Sequence, residues 1–229
     1  MPPAAEIDHT HNRPRGLVIR APDTQTVRAC GRMRLMTRLG ASVNPIAHEN
    51  ITQRIIQTRA DLRAFLDADA DASDLDGVRR WLSPTYRFQW MLRHAEFLRN
   101  SGGRGKRIAS IAVSRLVTRQ GIKLGFTVPL NTTGPGLCLA HWGTVVIHPE
   151  ARVGANCRIH VDVVIGMAYG ATPIIGDNVY IGPGAKISGE VTVADGSVIG
   201  ANSVVTKSWP AGLVAGNPAQ WLREATRWP

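Results

Sequence analysis

Between Thr127 and Val205 an aliphatic or small residue recurs every six positions. The anchors run Thr127, Thr133 and Leu139 and then, after two extra residues, Ile147, Val153, Ile159 and Ile165. A longer interruption, MAYGATPI from Met167 to Ile174, precedes Ile175, Ile181, Ile187, Val193, Ile199 and Val205. Glycine often follows the anchor, at Gly134, Gly154, Gly166, Gly176, Gly182 and Gly200. Two positions before it another small or apolar residue recurs, as at Ala151, Cys157, Val163, Val179, Ala185, Val191, Ser197 and Ser203. Neither a helical period of about 3.6 nor simple alternation accounts for these positions. A six-residue period predicts a parallel β-helix, in which each unit makes one short strand and a turn and three units close a triangular coil. The anchors point inward and stack on their equivalents, because a single coil cannot bury its own apolar face. The glycine after each anchor is expected to serve the backbone geometry of the corner.

Upstream the pattern changes. Helices are predicted over Asp61–Ala70, over Tyr86–Asn100 and over Lys106–Arg119. In the second, Phe88, Met91, Leu92, Ala95 and Leu98 recur at helical spacing, with Pro84 before its start and Ser83 as a cap. The third should end before Gly121. Short helical stretches are suggested by RMRLMTRL and ITQRIIQTR, within residues 26–59. SGGRGK, residues 101–106, reads as a flexible connector; it lacks the spacing of a phosphate-binding Walker loop. The organisation is therefore α+β: a flexible extension over 1–25, a helical region over 26–126, a β-helix over 127–210 and a tail over 211–229.

Composition supports a turn-rich globular chain: of 229 residues 44% are hydrophobic, with 23 Gly and 14 Pro. No apolar run reaches the length of a membrane span, and the N-terminus lacks the apolar stretch of a secretory signal. Three cysteines, Cys30, Cys138 and Cys157, form no CxxC pair, so neither a disulfide framework nor a metal site is expected and a cytoplasmic location is the default. The net charge is +10, and all of the excess lies in residues 1–126, with 21 Lys/Arg against 11 Asp/Glu; residues 127–229 hold 6 of each. That excess reads either as a solvated Arg-rich surface or as attraction to an anion: CoA phosphates, a phosphorylated or lipid-linked acceptor, a membrane surface or nucleic acid. No recognisable nucleic-acid motif is present, and no nucleic-acid partner is expected. The aromatic and basic run YRFQWMLRHAEFLR reads either as a peripheral membrane contact or as a helix packing on its neighbours.

The runs GPGLCLAHWGTVVIHPEARVGANCRIHVDVVIGM, PIIGDNVYIGPGAKISGEVTVADGSVIGANSVVTKS and AGNPA resemble the serine acetyltransferase branch of the hexapeptide-repeat acyltransferases, over about residues 120–222. They look most similar to relatives from polysaccharide gene clusters. The resemblance implies a left-handed β-helix and an acetyl-CoA-dependent O-acetyltransferase. It also implies homotrimers, with active sites in clefts between adjacent β-helices; a trimer and a hexamer of paired trimers both stay open. His141, at the first interruption, falls on the catalytic histidine. Gly166 and Met167 match the stretch lining the pantetheine arm. Gly182, Ala185 and Ala201 match small residues along which CoA lies, and Lys207 lies near the nucleotide.

Departures from that pattern matter as much. The aspartate that pairs with the histidine is Phe126 here, the one just before it is Ala140, and a histidine of the second interruption is Thr172. The missing acids count against serine as acceptor and favour a sugar or other small hydroxyl compound. Serine O-acetylation for cysteine synthesis and a non-catalytic, anion-binding β-helix remain the alternatives. Asn131, His160 and Asp162 are the candidates to orient His141, which needs a partner at its other ring nitrogen. Trp142 either lines the acceptor site or covers the trimer cleft. An imidazole, with an ordinary pKa of about 6.5, can take the proton of an attacking hydroxyl. Backbone N–H groups near Gly166 can stabilise the oxyanion. Cys138 is expected to be an inert outward neighbour of Leu139 rather than a nucleophile.

Overall fold

A computed structural model describes residues 55–75 and 77–225, all within one unit spanning 40–229. The 1–25 extension and the RMRLMTRL stretch lie outside the described residues. Of ITQRIIQTR, residues 55–59 are described: 55–58 carry no helix, and Arg59 opens the first one. The first helix, α1 (Arg59–Ala72), begins at Thr58, whose side chain accepts from the Asp61 N–H while Asp61 caps the Thr58 N–H in return. A single turn, α2 (Arg79–Leu82), leads into α3 (Pro84–Asn100), with Ser83 as N-cap and Pro84 in the first turn.

Helix α4 (Arg104–Leu124) runs through Gly121, beyond the predicted end. Gly121 lies on the buried face, where a Cβ would come within 2.6 Å of the Phe126 carbonyl oxygen. It is a packing glycine. The stop is Gly125, whose φ of 83° and N–H to the Gly121 carbonyl make a left-handed C-cap.

The remaining strands stack into three parallel columns. One sheet runs β1 (Phe126–Thr127), β3 (Val145–Ile147), β6 (Val163–Gly166), β9 (Lys186–Ser188) and β12 (Val204–Val205). The second holds β4 (Arg152–Val153), β7 (Ile174–Ile175) and β10 (Thr192–Val193). The third holds β2 (Cys138–Leu139), β5 (Arg158–Ile159), β8 (Tyr180–Ile181), β11 (Val198–Ile199) and β13 (Leu213–Gly216), and ends on the antiparallel β14 (Ala219–Arg223). This is the parallel β-helix that the period predicts. Leu139, Ile159, Ile181, Ile199 and Val214 pair in one column, and Ile147, Ile165, Ile187 and Val205 fill another. All are buried.

Two expectations need correction. Thr127 is exposed; its neighbours Phe126 and Val128 are buried, and Thr127 pairs with Val146 rather than Ile147. The strand leaving the α4 cap thus enters one residue out of step. The glycines after the anchors also do not serve the corners. The corners are made three residues before an anchor, by Asn156, Asp162, Asn178 and Asn202, with φ between 54° and 59°. Gly134 instead stacks against the next coil: an added Cβ would stand 2.8 Å from the Gly154 carbonyl carbon and 2.9 Å from the Ala155 nitrogen. Both obstacles are backbone, so Gly134→Ala should destabilise by about 1–3 kcal/mol, read as a lower urea midpoint at unchanged slope.

Helices α1 and α3 are joined to the first coil by a buried charge cluster. Arg93, fully buried, meets Asp69 at 2.8 Å and Glu96 at 3.1 Å and donates to the carbonyls of Thr133 and Gly134. Asp69 also accepts from the Leu137 N–H, and Glu96 from that of Asn131. The stripe YRFQWMLRHAEFLR accordingly packs inward: Tyr86, Phe88, Leu92, Arg93, Ala95 and Glu96 are all buried.

Candidate functional site

Both interruptions of the period stand out from the coils. The first carries His141 and Trp142 into solvent, Trp142 being 64% exposed. Backbone holds it. The Gly143 N–H donates to the Leu124 carbonyl at 2.8 Å and the Val145 N–H to that of Gly125 at 3.0 Å. The loop therefore rests on the C-terminal cap of α4, and the helix end that shifted the first strand also sets the position of His141.

His160 lies one coil on, immediately after Ile159. At the equivalent position the other coils of this column have Ala140, Gly182, Gly200 and Ala215. A full imidazole thus replaces a hydrogen or a methyl. Its ring lies 6.1 Å from that of His141 and 5.0 Å from that of Tyr180, centroid to centroid. Its Nε2 is buried and has no hydrogen-bond partner. Burial pushes the His160 pKa down, helped by the nearby Arg158 and by His141. The ring is therefore neutral at neutral pH, with a nitrogen left for a hydrogen bond.

The other candidates to orient His141 are committed elsewhere. Asp162 forms a corner of the coil, and its carboxylate sits 3.0 Å from Lys186, which also donates to the Asp162 carbonyl. The Asn131 amide pairs reciprocally with that of Asn100, at 2.8 and 3.1 Å, clasping the end of α3 to the first coil. Neither turns to His141. Phe126, at the position of the family's aspartate, is buried edge-on against Phe88, 5.1 Å between centroids. Tyr180 and Arg158 are the site residues that sequence reasoning missed. Each directly precedes an anchor, and they face one another across paired strands, so the period carries a signal for them.

The positions matched to CoA divide. Met167 is exposed, at the root of a hairpin in which Ala168 and Ala171 exchange N–H bonds and Tyr169, at the tip, is fully exposed. Gly166 ends β6 opposite Ser188. Gly182 stacks directly on Ala201, where a Cβ would meet the Ala201 nitrogen at 2.8 Å. Ala201 and Lys207 are exposed. Ala185 is fully buried in the core. Thr172 is tied to the Glu150 carbonyl. Cys138 is buried under its neighbours rather than outward, and burial pushes the Cys157 thiol up to about 12. Among the described residues no cluster of His, Cys, Asp and Glu is arranged to hold a metal ion.

The family described as bacterial transferase hexapeptide (six repeats) matches residues 172–207. The chain is 32% identical over 172 residues to a serine acetyltransferase of Mycobacterium tuberculosis, covering 73% of this chain and 72% of that one. It is 31% identical over 170 residues to serine acetyltransferase 2 of Arabidopsis thaliana, but spans only 51% of that protein. Similar solved structures include soybean serine acetyltransferase complexed with serine, with a TM-score of 0.58 at 26% identity, covering 70% of this chain and 69% of that one. The serine acetyltransferase of Brucella abortus has a TM-score of 0.57 at 28% identity, covering 73% and 71%. The chain belongs to the hexapeptide-repeat, acyl-CoA-dependent acetyltransferases, in their serine acetyltransferase-like branch.

His160 is the residue whose role the structure makes testable. His160→Ala removes an unsatisfied nitrogen and installs the side chain found at positions 140 and 215, so its urea midpoint should fall by no more than about 1 kcal/mol equivalent. The depressed pKa fixes the sign of the pH effect. The stability that the neutral ring contributes is present above the unfolded histidine pKa and is lost as pH falls through the lower folded value. Melting temperature against pH should therefore fall less steeply in the variant below about pH 6.5, the ordinary histidine value.

Proposed function

We propose that this chain transfers the acetyl group of acetyl-CoA to a hydroxyl of an uncharged, sugar-type acceptor, with His141 as general base. One observation carries the reading: no carboxylate among the described residues engages His141. The acid positions of the branch are Phe126, turned into the core, and Ala140, while Asp162 is held by Lys186. Serine brings an ammonium group, which calls for a carboxylate; a sugar hydroxyl does not.

In the reaction, a ring nitrogen of His141 takes the hydroxyl proton as the oxygen attacks the thioester carbonyl carbon. The carbon–sulfur bond breaks, and the leaving thiolate receives the proton from the imidazolium. The products are an O-acetyl ester and free CoA, with no acyl-enzyme. N–H groups at the Gly166 end of β6 are the donors we assign to the developing oxyanion. His160 is assigned as a positioning residue, its unpaired Nε2 directed to His141 or to a neighbouring acceptor hydroxyl. Met167, Gly182 and Ala201 are assigned to the CoA arm and Lys207 to its phosphates, as a point charge. Trp142 and the apolar hairpin of Met167 and Tyr169 supply surface for a neighbouring copy in a trimer. Such an assembly would set the clefts between adjacent β-helices.

Acetyl transfer to serine is the second reading, favoured by the activity that the relatives' names carry. Incubation with acetyl-CoA and a panel of serine, homoserine, free sugars and nucleotide sugars, with mass spectrometry of the products, separates the two. O-acetyl sugar is the expected product. Acetylserine alone would overturn the acceptor assignment, and neither turnover nor acetyl-CoA binding would point to a non-catalytic scaffold.

A further inference from the structure

The net charge of +10 has a narrower source than the N-terminal half. Residues 77–126 hold eleven Lys/Arg and a single Asp/Glu, a net of +10, while the rest of the chain is balanced. The single acid, Glu96, is buried and paired with Arg93. Helix α4 alone carries six Lys/Arg and no acid, and all six are exposed.

The same helix leaves large apolar side chains in solvent. Its inward face carries the buried Ser110, Val117 and Gly121. On the opposite face Ile108 is 70% exposed, Ile111 54% and Ile122 77%, at spacings that place them in one stripe with Arg115 and Arg119. Isolated exposed leucines and isoleucines are ordinary, but a stripe that mixes exposed isoleucines with arginines and carries not one anion is not. A second copy of this face is a poor occupant, because symmetric pairing would set arginine stripes against each other. A nucleic acid would use the cations and leave the isoleucines in water. An anionic bilayer satisfies both: headgroups meet the cations and the isoleucines enter the acyl boundary. No helix among the described residues is long and apolar enough to cross a membrane, so the contact is peripheral.

We propose that the outward face of α4 docks this acetyltransferase on an anionic membrane surface. The inference is independent of the acceptor assignment. Its test uses the full chain in co-sedimentation with vesicles made of equal parts phosphatidylglycerol and phosphatidylcholine, or of phosphatidylcholine alone. Binding to the anionic vesicles is expected, weakening as salt rises. Arg115→Gln with Arg119→Gln should lower the vesicle partition coefficient about 30-fold, at roughly fivefold per arginine. Ile108→Ser with Ile122→Ser should lower it at least about tenfold at the same salt. All four side chains are exposed, so melting temperature and the rate of CoA release in solution should not change in either variant. Equal binding to neutral vesicles would overturn the proposal. So would isoleucine variants that bind as well as the parent, or binding to duplex DNA with none to anionic vesicles.

Discussion

Replacing His141 with alanine should lower kcat for CoA release by about 10²–10⁴-fold, the usual contribution of a positioned general base. That is about 3–5 kcal/mol of barrier. The folded state should not register the change, because the side chain stands in solvent on a loop held by backbone bonds from Gly143 and Val145. Circular dichroism and the melting temperature should match the parent. The contrast is the useful part. A drop in kcat with the melting temperature unchanged assigns the loss to chemistry, whereas a residual rate near that of the parent would remove His141 from the reaction.

The largest expected loss of stability lies in a residue far from that chemistry in sequence. Arg93→Met should lower stability by about 3–5 kcal/mol, because it leaves two carboxylates, Asp69 and Glu96, buried without their cation. It also strips donors from the Thr133 and Gly134 carbonyls where the first coil begins. Typical domains have only about 5–15 kcal/mol in all, so urea unfolding should show a much lower midpoint. Lysine should not rescue it. A single ammonium cannot span both carboxylates and two carbonyls as the guanidinium fork does.

The two residues also show what a linear reading of this chain can and cannot recover. The columns from Leu139 to Val214 and from Ile147 to Val205 follow from a geometric step of six, so each anchor is legible alone. Thr127 fails that reading because the α4 cap at Gly125 feeds β1 one residue out of step, which depends on packing and not on period. The glycines were legible as a pattern but not as a cause: Gly134 serves the close approach of coils, while Asn156 and Asp162 make the corners. Arg93 has one partner, Glu96, a helical turn away, but the others lie on another helix and on coil carbonyls, 24 to 41 positions away. No local pattern announces that. At the site, the interruption marks His141, and in the structure His160 stands out as a bulky residue in a column of small ones. Asp162 and Asn131 are held by Lys186 and Asn100, 24 and 31 positions away, which no local pattern reveals.

Without the paired acids, the site we propose serves an uncharged hydroxyl. The ratio of kcat/KM for a free sugar to that for serine, measured on one preparation by release of the CoA thiol, tests it most directly. A ratio well above one, with turnover of both acceptors cut about 10²–10⁴-fold by His141→Ala, is the predicted result. A ratio well below one would contradict it.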